Sequence, residues 1–106
     1  MESETFSALS ARAKEVVRNL DWQVYHTPEN LTLFLVGEAA ELGEYCQWLS
    51  KAEINQHELA VAVSEEIADV IKSVLYMANA LPLSISLETV LTKKLELDEA
   101  EYPVER

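Results

Sequence analysis

The chain has 106 residues, of which 49% are hydrophobic, and carries 8 Lys and Arg against 19 Asp and Glu. The net charge of −11 excludes a basic surface of the kind that binds nucleic acid polymers or an anionic membrane. A single cysteine, Cys46, excludes an intrachain disulfide and a Cys-rich zinc site. We expect one domain, residues 1–106, in the cytoplasm, since the sequence shows neither a signal-peptide pattern nor an apolar run of membrane-spanning length.

Helix patterns and helix start signals predict an all-α chain, with only two Gly and three Pro for turns. The first predicted helix spans 4–20 and is followed by a connector. The second begins at Thr27 and Pro28, an N-cap followed by Pro at the first helical position, and runs to about Lys51.

The third predicted helix, residues 57–80, is apolar on nearly every side, which is typical of a central helix. In so short a chain this predicts burial against a partner subunit. A fourth amphipathic helix is predicted over residues 87–100. The expected side-chain caps of these two helices are Asn55, in a capping-box pattern with Glu58, and Ser84 or Ser86.

Two acidic motifs, Glu38-x-x-Glu41 and Glu66-x-x-Asp69, place carboxylates where both helices should be apolar. At 100° per residue, apolar side chains lie within about 40° of Glu38 and of Glu66. Glu41 and Asp69 each lie about 60° to one side. The flanking apolar residues are Leu31, Phe34, Leu42, Tyr45 and Leu49 on one helix and Leu59, Ala62, Val70 and Met77 on the other.

Carboxylates inside an apolar stripe must be protonated, paired or bound to a metal, because desolvating a bare one costs several kcal/mol. Pairing fits this sequence poorly, since no Lys or Arg lies between Arg18 and Lys51. Four inward carboxylates favour a hard divalent cation with oxygen ligands, Mg²⁺ or in its place Mn²⁺. The alternative is a solvated acidic helix face that holds no cation.

The two tryptophans are candidates for stacking on a nucleobase. Trp48 lies about 80° from Glu38 around the helix, on the side of Glu41, and base stacking on an aromatic is worth about 1–3 kcal/mol. Ordinary core or dimer packing is the alternative for both Trp22 and Trp48. His26 flanks a helix start and could touch a ligand, but it does not follow a Glu by three residues as in di-iron bundles.

Lysines on the last two predicted helices could meet phosphate oxygens. Lys72, Lys93 and Lys94 are the candidates, and a solvated surface position is the alternative for each. The sequence contains no phosphate-binding loop of the Walker A type and no nucleophile-elbow pattern. Any phosphate chemistry would therefore depend on the acidic motifs.

These residues resemble the MazG-like, all-α nucleoside triphosphate pyrophosphohydrolases, in particular the small single-domain dCTP pyrophosphatase branch. That family carries an ExxE and then an ExxD, and all four acids bind magnesium. The same positions here are Glu38, Glu41, Glu66 and Asp69. The similarity covers about residues 20–103, and the other matching positions are Trp22, His26, Pro28, Asn30, Leu31 and Trp48.

The chain departs from the family pattern at several positions. Gly37 stands where the family often has Glu before the first acid pair. In the C-terminal motif, here KLELDEAEYP, Asp98 replaces the common Asn, and Glu99 and Glu101 replace basic residues that help hold the triphosphate. Ser73 occupies a position that is often Tyr in dCTP-hydrolysing relatives, which leaves the base preference open.

The resemblance implies a four-helix bundle-type fold that is completed by homo-oligomerisation, as a homodimer or a dimer of dimers. It also implies Mg²⁺-dependent hydrolysis of nucleoside triphosphates, such as dCTP, to the monophosphate and pyrophosphate, in a nucleotide-pool house-cleaning role. Glu41 or Glu65 is expected to orient or deprotonate the attacking water. The expected substrate-binding residues are Trp22, His26, Asn30, Trp48, Ser73, Lys94, Asp98 and Tyr102.

A different class of function is also compatible with the sequence. In that alternative the chain is a non-catalytic helical dimerisation module, and its acidic stripe binds a structural cation or a protein partner. The product of a reaction with nucleotides, or its absence, separates the two.

Overall fold

A computed structural model of the chain describes residues 5–47, 55–81 and 86–102. Within these ranges the secondary structure is entirely helical, which confirms the predicted all-α class. A 3₁₀ turn separates the first two helices. The elements are α1 (Phe6–Asn19), the 3₁₀ turn (Trp22–Tyr25), α2 (Pro28–Cys46), α3 (Gln56–Ala80) and α4 (Leu87–Glu101).

Each α-helix begins at a polar side chain that caps its first turn. In all four cases a side-chain oxygen accepts a hydrogen bond from the backbone amide three residues later, at 3.1 to 3.2 Å. Such caps satisfy amides that have no partner inside the helix. The predicted caps Thr27 and Asn55 are confirmed, and Ser86 caps α4. The caps in chain order are Thr5, Thr27, Asn55 and Ser86.

The connector between α1 and α2 contains more structure than the sequence predicted. Asp21 has a left-handed backbone conformation with φ at 55°, which Asp tolerates better than most residues. The 3₁₀ turn follows it directly. The side-chain amide of Asn30 donates a hydrogen bond to the carbonyl of Tyr25 at 3.0 Å. This bond holds the aromatic residues of the turn beside α2.

The helix pair α2–α3 makes the most extensive contact between elements, and α1 packs on α3. The main cluster of buried apolar residues joins all three helices, through Ala13, Leu31, Leu75 and Tyr76. Residues early in α2 thus contact residues late in α3, so the two helices run antiparallel. A polar contact supports the α1–α3 packing, since the side-chain amide of Asn79 donates to the carbonyl of Ser10 at 3.0 Å.

Helix α4 is attached much less extensively than the other three. Among the described residues it takes part in none of the larger helix contacts, and none of its side chains is buried. Its first turn is held by a hydrogen bond at 2.7 Å, donated by the hydroxyl of Ser7 to the carboxylate of Glu88. None of the described helices has the length and apolar character needed to cross a bilayer.

Candidate metal centre and adjoining cavity

Three acidic side chains meet where α2 and α3 pack together. Glu38 of α2 and Glu66 and Asp69 of α3 each present a carboxylate oxygen, and these oxygens lie within 4.8 Å of one another. All three residues are partly buried. The spacing of three along α3 puts Glu66 and Asp69 on neighbouring turns of one face. The antiparallel pairing of the helices then brings Glu38 opposite them.

Two oxygens of this acidic cluster have unsatisfied hydrogen-bonding capacity. Within the described part of the chain, Glu38 Oε2 and Glu66 Oε2 are buried and have no hydrogen-bond partner. Buried polar atoms in folded proteins are nearly always paired, because an unpaired one has lost its water without compensation. A divalent cation with oxygen ligands would provide the missing partner for both atoms. The donor set and its burial therefore fit a metal ion.

The pKa values of two carboxyl groups in the acidic cluster also favour a bound cation. Burial, followed by the nearby charges of Glu41 and Asp69, raises the pKa of Glu38, while Lys72 lowers it. Burial also raises the pKa of Glu66, with further contributions from the charges of Glu41, Asp69 and Glu38 and from a hydrogen bond to Glu41. The charged forms of Glu38 and Glu66 are thus destabilised by burial and by their acidic neighbours, and a cation placed among them would reverse that effect.

The other two predicted acids lie at the edge of the acidic cluster or outside it. Glu41 is exposed and close enough to Glu66 for their carboxyl groups to share a hydrogen bond. Glu65 is exposed, and it is not among the three residues whose oxygens converge. Of the four predicted metal ligands, three have converging carboxylates, and the fourth, Glu41, lies beside them.

An aromatic cavity of about 430 Å³ lies along the same helix pair. The imidazole of His26 lies between two aromatic rings, with its centroid 6.3 Å from that of Trp22 and 5.1 Å from that of Tyr76. Stacked and tilted rings of this kind form a surface on which a flat heterocycle can pack. The cavity is lined by Trp22, Tyr25, His26, Asn30, Leu31, Phe34, Lys72 and Tyr76.

Lys72 connects the acidic cluster with the aromatic cavity. Its ammonium nitrogen lies 3.4 Å from Oδ1 of Asp69, and its side chain also lines the cavity. The pair is a partly exposed i, i+3 contact on one helix face, with both side chains 40 to 48% accessible. The two parts of the site are therefore continuous.

The known proteins most relevant to this chain are pyrophosphatases, in sequence and in structure. The chain is 35% identical over 94 residues to dCTP pyrophosphatase 1 of Rattus norvegicus and 31% identical over 93 residues to that of Homo sapiens. It covers 54% of each, so it spans about half the length of these curated relatives. A solved pyrophosphatase of Archaeoglobus fulgidus is 29% identical with a TM-score of 0.72, over 98% of this chain and 97% of that one. The predicted resemblance to dCTP pyrophosphatases is confirmed at the level of similarity in sequence and fold.

No family model matches the chain. The similarity to pyrophosphatases therefore rests on the sequence relatives, the structural neighbour and the helical fold together.

Three of the predicted substrate-binding residues line the cavity. Trp22 and His26 contribute rings, and Asn30 lies at the start of α2. The side-chain amide of Asn30 is also bound to the 3₁₀ turn, so this residue helps to shape the wall. Trp48 falls outside the described residues.

The remaining predicted contacts are not brought to the cavity in the described part of one chain. Ser73 is 1% exposed, and its hydroxyl donates to the carbonyl of Asp69 at 3.0 Å. Lys94, Asp98 and Tyr102 lie exposed on or at the end of α4, and none of them lines the cavity.

The sequence reasoning did not assign Tyr76 and Phe34 to a ligand cavity. Tyr76 follows Asp69 by seven residues, which places the two about 20° apart on one helix face. Phe34 precedes Glu38 by four residues, which places them about 40° apart. The sequence signal that identifies them is an extension of the acidic face by about one turn along α2 and by about two turns along α3.

Proposed function

We propose that this chain hydrolyses nucleoside triphosphates to the monophosphate and pyrophosphate, with Mg²⁺ held by Glu38, Glu66 and Asp69. The observation that carries the proposal is the convergence of three carboxylates, two of them with unpartnered buried oxygens, beside an aromatic cavity. Similarity to proteins named dCTP pyrophosphatase 1 and to an archaeal pyrophosphatase supports this reaction class.

The acidic cluster and the cavity lie in series along the helix pair, as a nucleotide requires. Phe34 is about 6 Å along the axis of α2 from Glu38, and Tyr76 is about 10 Å along α3 from Asp69, at 1.5 Å per residue. The base would lie against the rings of His26 and Tyr76. The triphosphate would then extend toward the acidic cluster.

When bound, Mg²⁺ would polarise phosphoryl oxygens and lower the pKa of the attacking water. Glu41 is our candidate for the general base, because it is exposed at the edge of the acidic cluster and close enough to Glu38 and Glu66 for its charge to raise their pKa values. It would accept a proton as the water oxygen bonds to the α-phosphorus, while the bond to the bridging oxygen breaks and pyrophosphate leaves. Glu65 is the second candidate for this role.

We also propose that the functional unit is a homodimer or a dimer of dimers. Several apolar side chains of the predicted central helix α3 are 44 to 49% accessible, namely Val61, Ile67 and Ile71. A second copy would cover such a surface. Light scattering coupled to size-exclusion chromatography tests this, and a stable monomer at micromolar concentration would contradict it.

The test of the reaction is a panel of dNTPs and NTPs with and without Mg²⁺, in which chromatography separates monophosphate, pyrophosphate and orthophosphate. Monophosphate and pyrophosphate, formed only with Mg²⁺, would support the proposal, and dCTP is the first substrate to try because of the names of the relatives. Release of orthophosphate would identify a phosphatase instead. No turnover by the folded protein would favour the non-catalytic helical module.

We propose a cellular role on the basis of this reaction. Hydrolysis of surplus or non-canonical dNTPs in the cytoplasm would amount to nucleotide-pool house-cleaning. The fastest substrate of the panel tests it, since a strong preference for an abundant canonical ribonucleotide would argue against that role.

A further inference from the structure

The positive charge of the α2–α3 pair is concentrated in one residue. Four Asp and Glu residues lie on α2 and four on α3, whereas Lys72 is the one Lys or Arg on these two helices. A triphosphate entering this site would meet strong repulsion from the acidic cluster unless cations offset it. A bound divalent ion would supply part of that charge, and Lys72 is the residue placed to supply more.

The position of Lys72 is between the two parts of the site. Toward the acidic cluster, its ammonium nitrogen is 3.4 Å from Oδ1 of Asp69. Toward the other side, it lines the cavity together with His26 and Tyr76. In the proposed arrangement the base stacks in the cavity and the outer phosphates reach the carboxylates. The phosphate attached to the nucleoside would then lie near Lys72.

The contact with Asp69 is one that Lys72 can leave at little cost. Partly exposed ion pairs on a helix surface contribute little to stability, because solvent screens them and both side chains lose rotamer freedom. A divalent cation bound by the acidic cluster would compete directly with the ammonium group for the carboxylate of Asp69. The four-carbon stem of a lysine allows its amine to move by several ångströms without any change in the helix.

We propose that Lys72 is a substrate-binding residue that pairs with Asp69 in the metal-free protein and contacts the phosphate nearest the nucleoside once a cation occupies the acidic cluster. This inference rests on the proposed function, since it assigns a contact within the same site. Phosphate binding by an ammonium group needs no motif, because the interaction is that of a point charge with three donors.

The test compares the wild type, Lys72→Met and Lys14→Met by calorimetry. Methionine keeps much of the length and apolar character of the lysine stem but removes the charge. Lys14 is an exposed lysine of α1 that does not line the cavity, so its replacement changes the net charge equally. The ligands are deoxycytidine, dCMP and the dCTP analogue with an imido group between the α- and β-phosphorus, each with Mg²⁺. Mn²⁺ alone is titrated separately.

Lys72→Met should bind dCMP and the imido analogue about tenfold more weakly, which corresponds to ~1.4 kcal/mol. Its affinity for deoxycytidine should be unchanged, because the nucleoside lacks the phosphate. Its affinity for Mn²⁺ alone should be equal to or above that of the wild type, since a competitor of the metal has been removed. Lys14→Met should match the wild type for every ligand.

Three results would overturn the assignment. If Lys72→Met binds dCMP as tightly as the wild type does, Lys72 does not contact the phosphate. If it loses the same affinity for deoxycytidine as for dCMP, Lys72 shapes the cavity instead. If it binds Mn²⁺ more weakly than the wild type, Lys72 supports the acidic cluster. Failure of the proposed function looks different, because the wild type itself would then neither bind the imido analogue nor turn over any nucleotide.

Discussion

The helix pair α2–α3 and the helix α4 differ in how completely one chain builds them. The first is packed and antiparallel, and it places three carboxylates and an aromatic cavity next to each other. The second begins at a side-chain cap and is linked to α1 by a hydrogen bond, and its side chains are largely exposed. Both regions carry residues that the family resemblance connects with substrate.

The difference indicates a division of roles. Cation binding and base stacking depend on helix faces that one chain already brings together. The contacts expected from Lys94, Asp98 and Tyr102 depend on where α4 lies, and they call for a partner subunit or a movement of α4 relative to α2–α3. Four predictions test this division, from the largest expected effect to the smallest.

Replacing one carboxylate of the acidic cluster should abolish activity without unfolding the protein. Glu38→Gln keeps the shape of the side chain but removes a charge that the metal needs. We expect kcat/KM to fall by about a hundredfold or more, because metal catalysis supplies several kcal/mol of transition-state stabilisation. The melting temperature in EDTA should be equal to or above that of the wild type, since the pKa of Glu38 shows that its charge is disfavoured there.

Glu44→Gln is the matched control for this change. It removes the same charge from an exposed position of the same helix and should leave kcat/KM within about twofold of the wild type. An inactive Glu44→Gln, or an active Glu38→Gln, would contradict the assignment of the acidic cluster.

Truncating an aromatic wall should weaken substrate binding rather than chemistry. Trp22→Ala removes the indole that packs near His26, and loss of a base stack costs about 1–3 kcal/mol. We expect KM to rise about tenfold with little change in kcat, as measured by initial rates. Val24→Ala, in the same 3₁₀ turn but 74% exposed, should have no effect. A fall in kcat with constant KM would place Trp22 in the chemistry instead.

Raising the pH without metal should destabilise the α2–α3 pair. The pKa values of Glu38 and Glu66 lie above 4.5 in the folded chain, so the folded state binds more protons than the unfolded state just above that pH. The free energy of unfolding therefore decreases as the pH rises from 4.5 through the raised values. Mg²⁺ needs the deprotonated oxygens, so its stabilising effect should increase over the same window.

Melting temperatures in EDTA and in Mg²⁺ at a series of pH values measure this effect. The double variant Glu38→Gln, Glu66→Gln should show a smaller pH dependence and little response to Mg²⁺. A stabilisation by Mg²⁺ that is constant from about pH 4 to pH 8 would argue against these two carboxylates as the titrating ligands.

Weakening the link to α4 should have the smallest effect and a local one. Ser7→Ala removes the donor to Glu88 and should cost about 1 kcal/mol or less, as for an exposed hydrogen bond. Hydrogen exchange of the α4 amides should become faster, whereas that of α2 and α3 should not change. Ser64→Ala, at an exposed serine that donates to its own helix, is the control. Equal acceleration throughout the chain would mean that α4 is integral to the fold.

Much of this architecture could be predicted from the sequence because its signals are local. The helix starts at Thr27 and Asn55 follow from cap chemistry, and the partial burial of Glu38 and Glu66 follows from the apolar stripes around them. The joining of the two acidic motifs in one cation site was inferred from the cost of burying four carboxylates, and the family resemblance implied the same four ligands. The roles of Glu41 and Glu65, and those of the substrate contacts, stay predictions.

The parts that the sequence did not predict depend on contacts between segments distant along the chain. Tyr76 lies at the cavity because its ring contacts that of His26, which follows the 3₁₀ turn, and Ser73 is buried one turn earlier on α3. The exposure of Phe6, Leu9 and Val16 on α1 shows a further limit of prediction from the sequence. Their periodicity marks an apolar face correctly but does not say whether this chain or another one covers it.

The antiparallel packing of α2 and α3 sets the distance between the aromatic cavity and the acidic cluster, and so the length of the nucleotide that could reach both. Phe34 and Glu38 lie on α2, and Tyr76 and Asp69 lie on α3. The distances from these two cavity residues to the acidic cluster are therefore fixed by residue number along each helix. A single residue inserted in α2 between Phe34 and Glu38 would rotate one relative to the other by 100° and lengthen the spacing by about 1.5 Å. The four-residue interval from Phe34 to Glu38 and the seven-residue interval from Asp69 to Tyr76 would therefore determine which length of phosphate chain the site accepts.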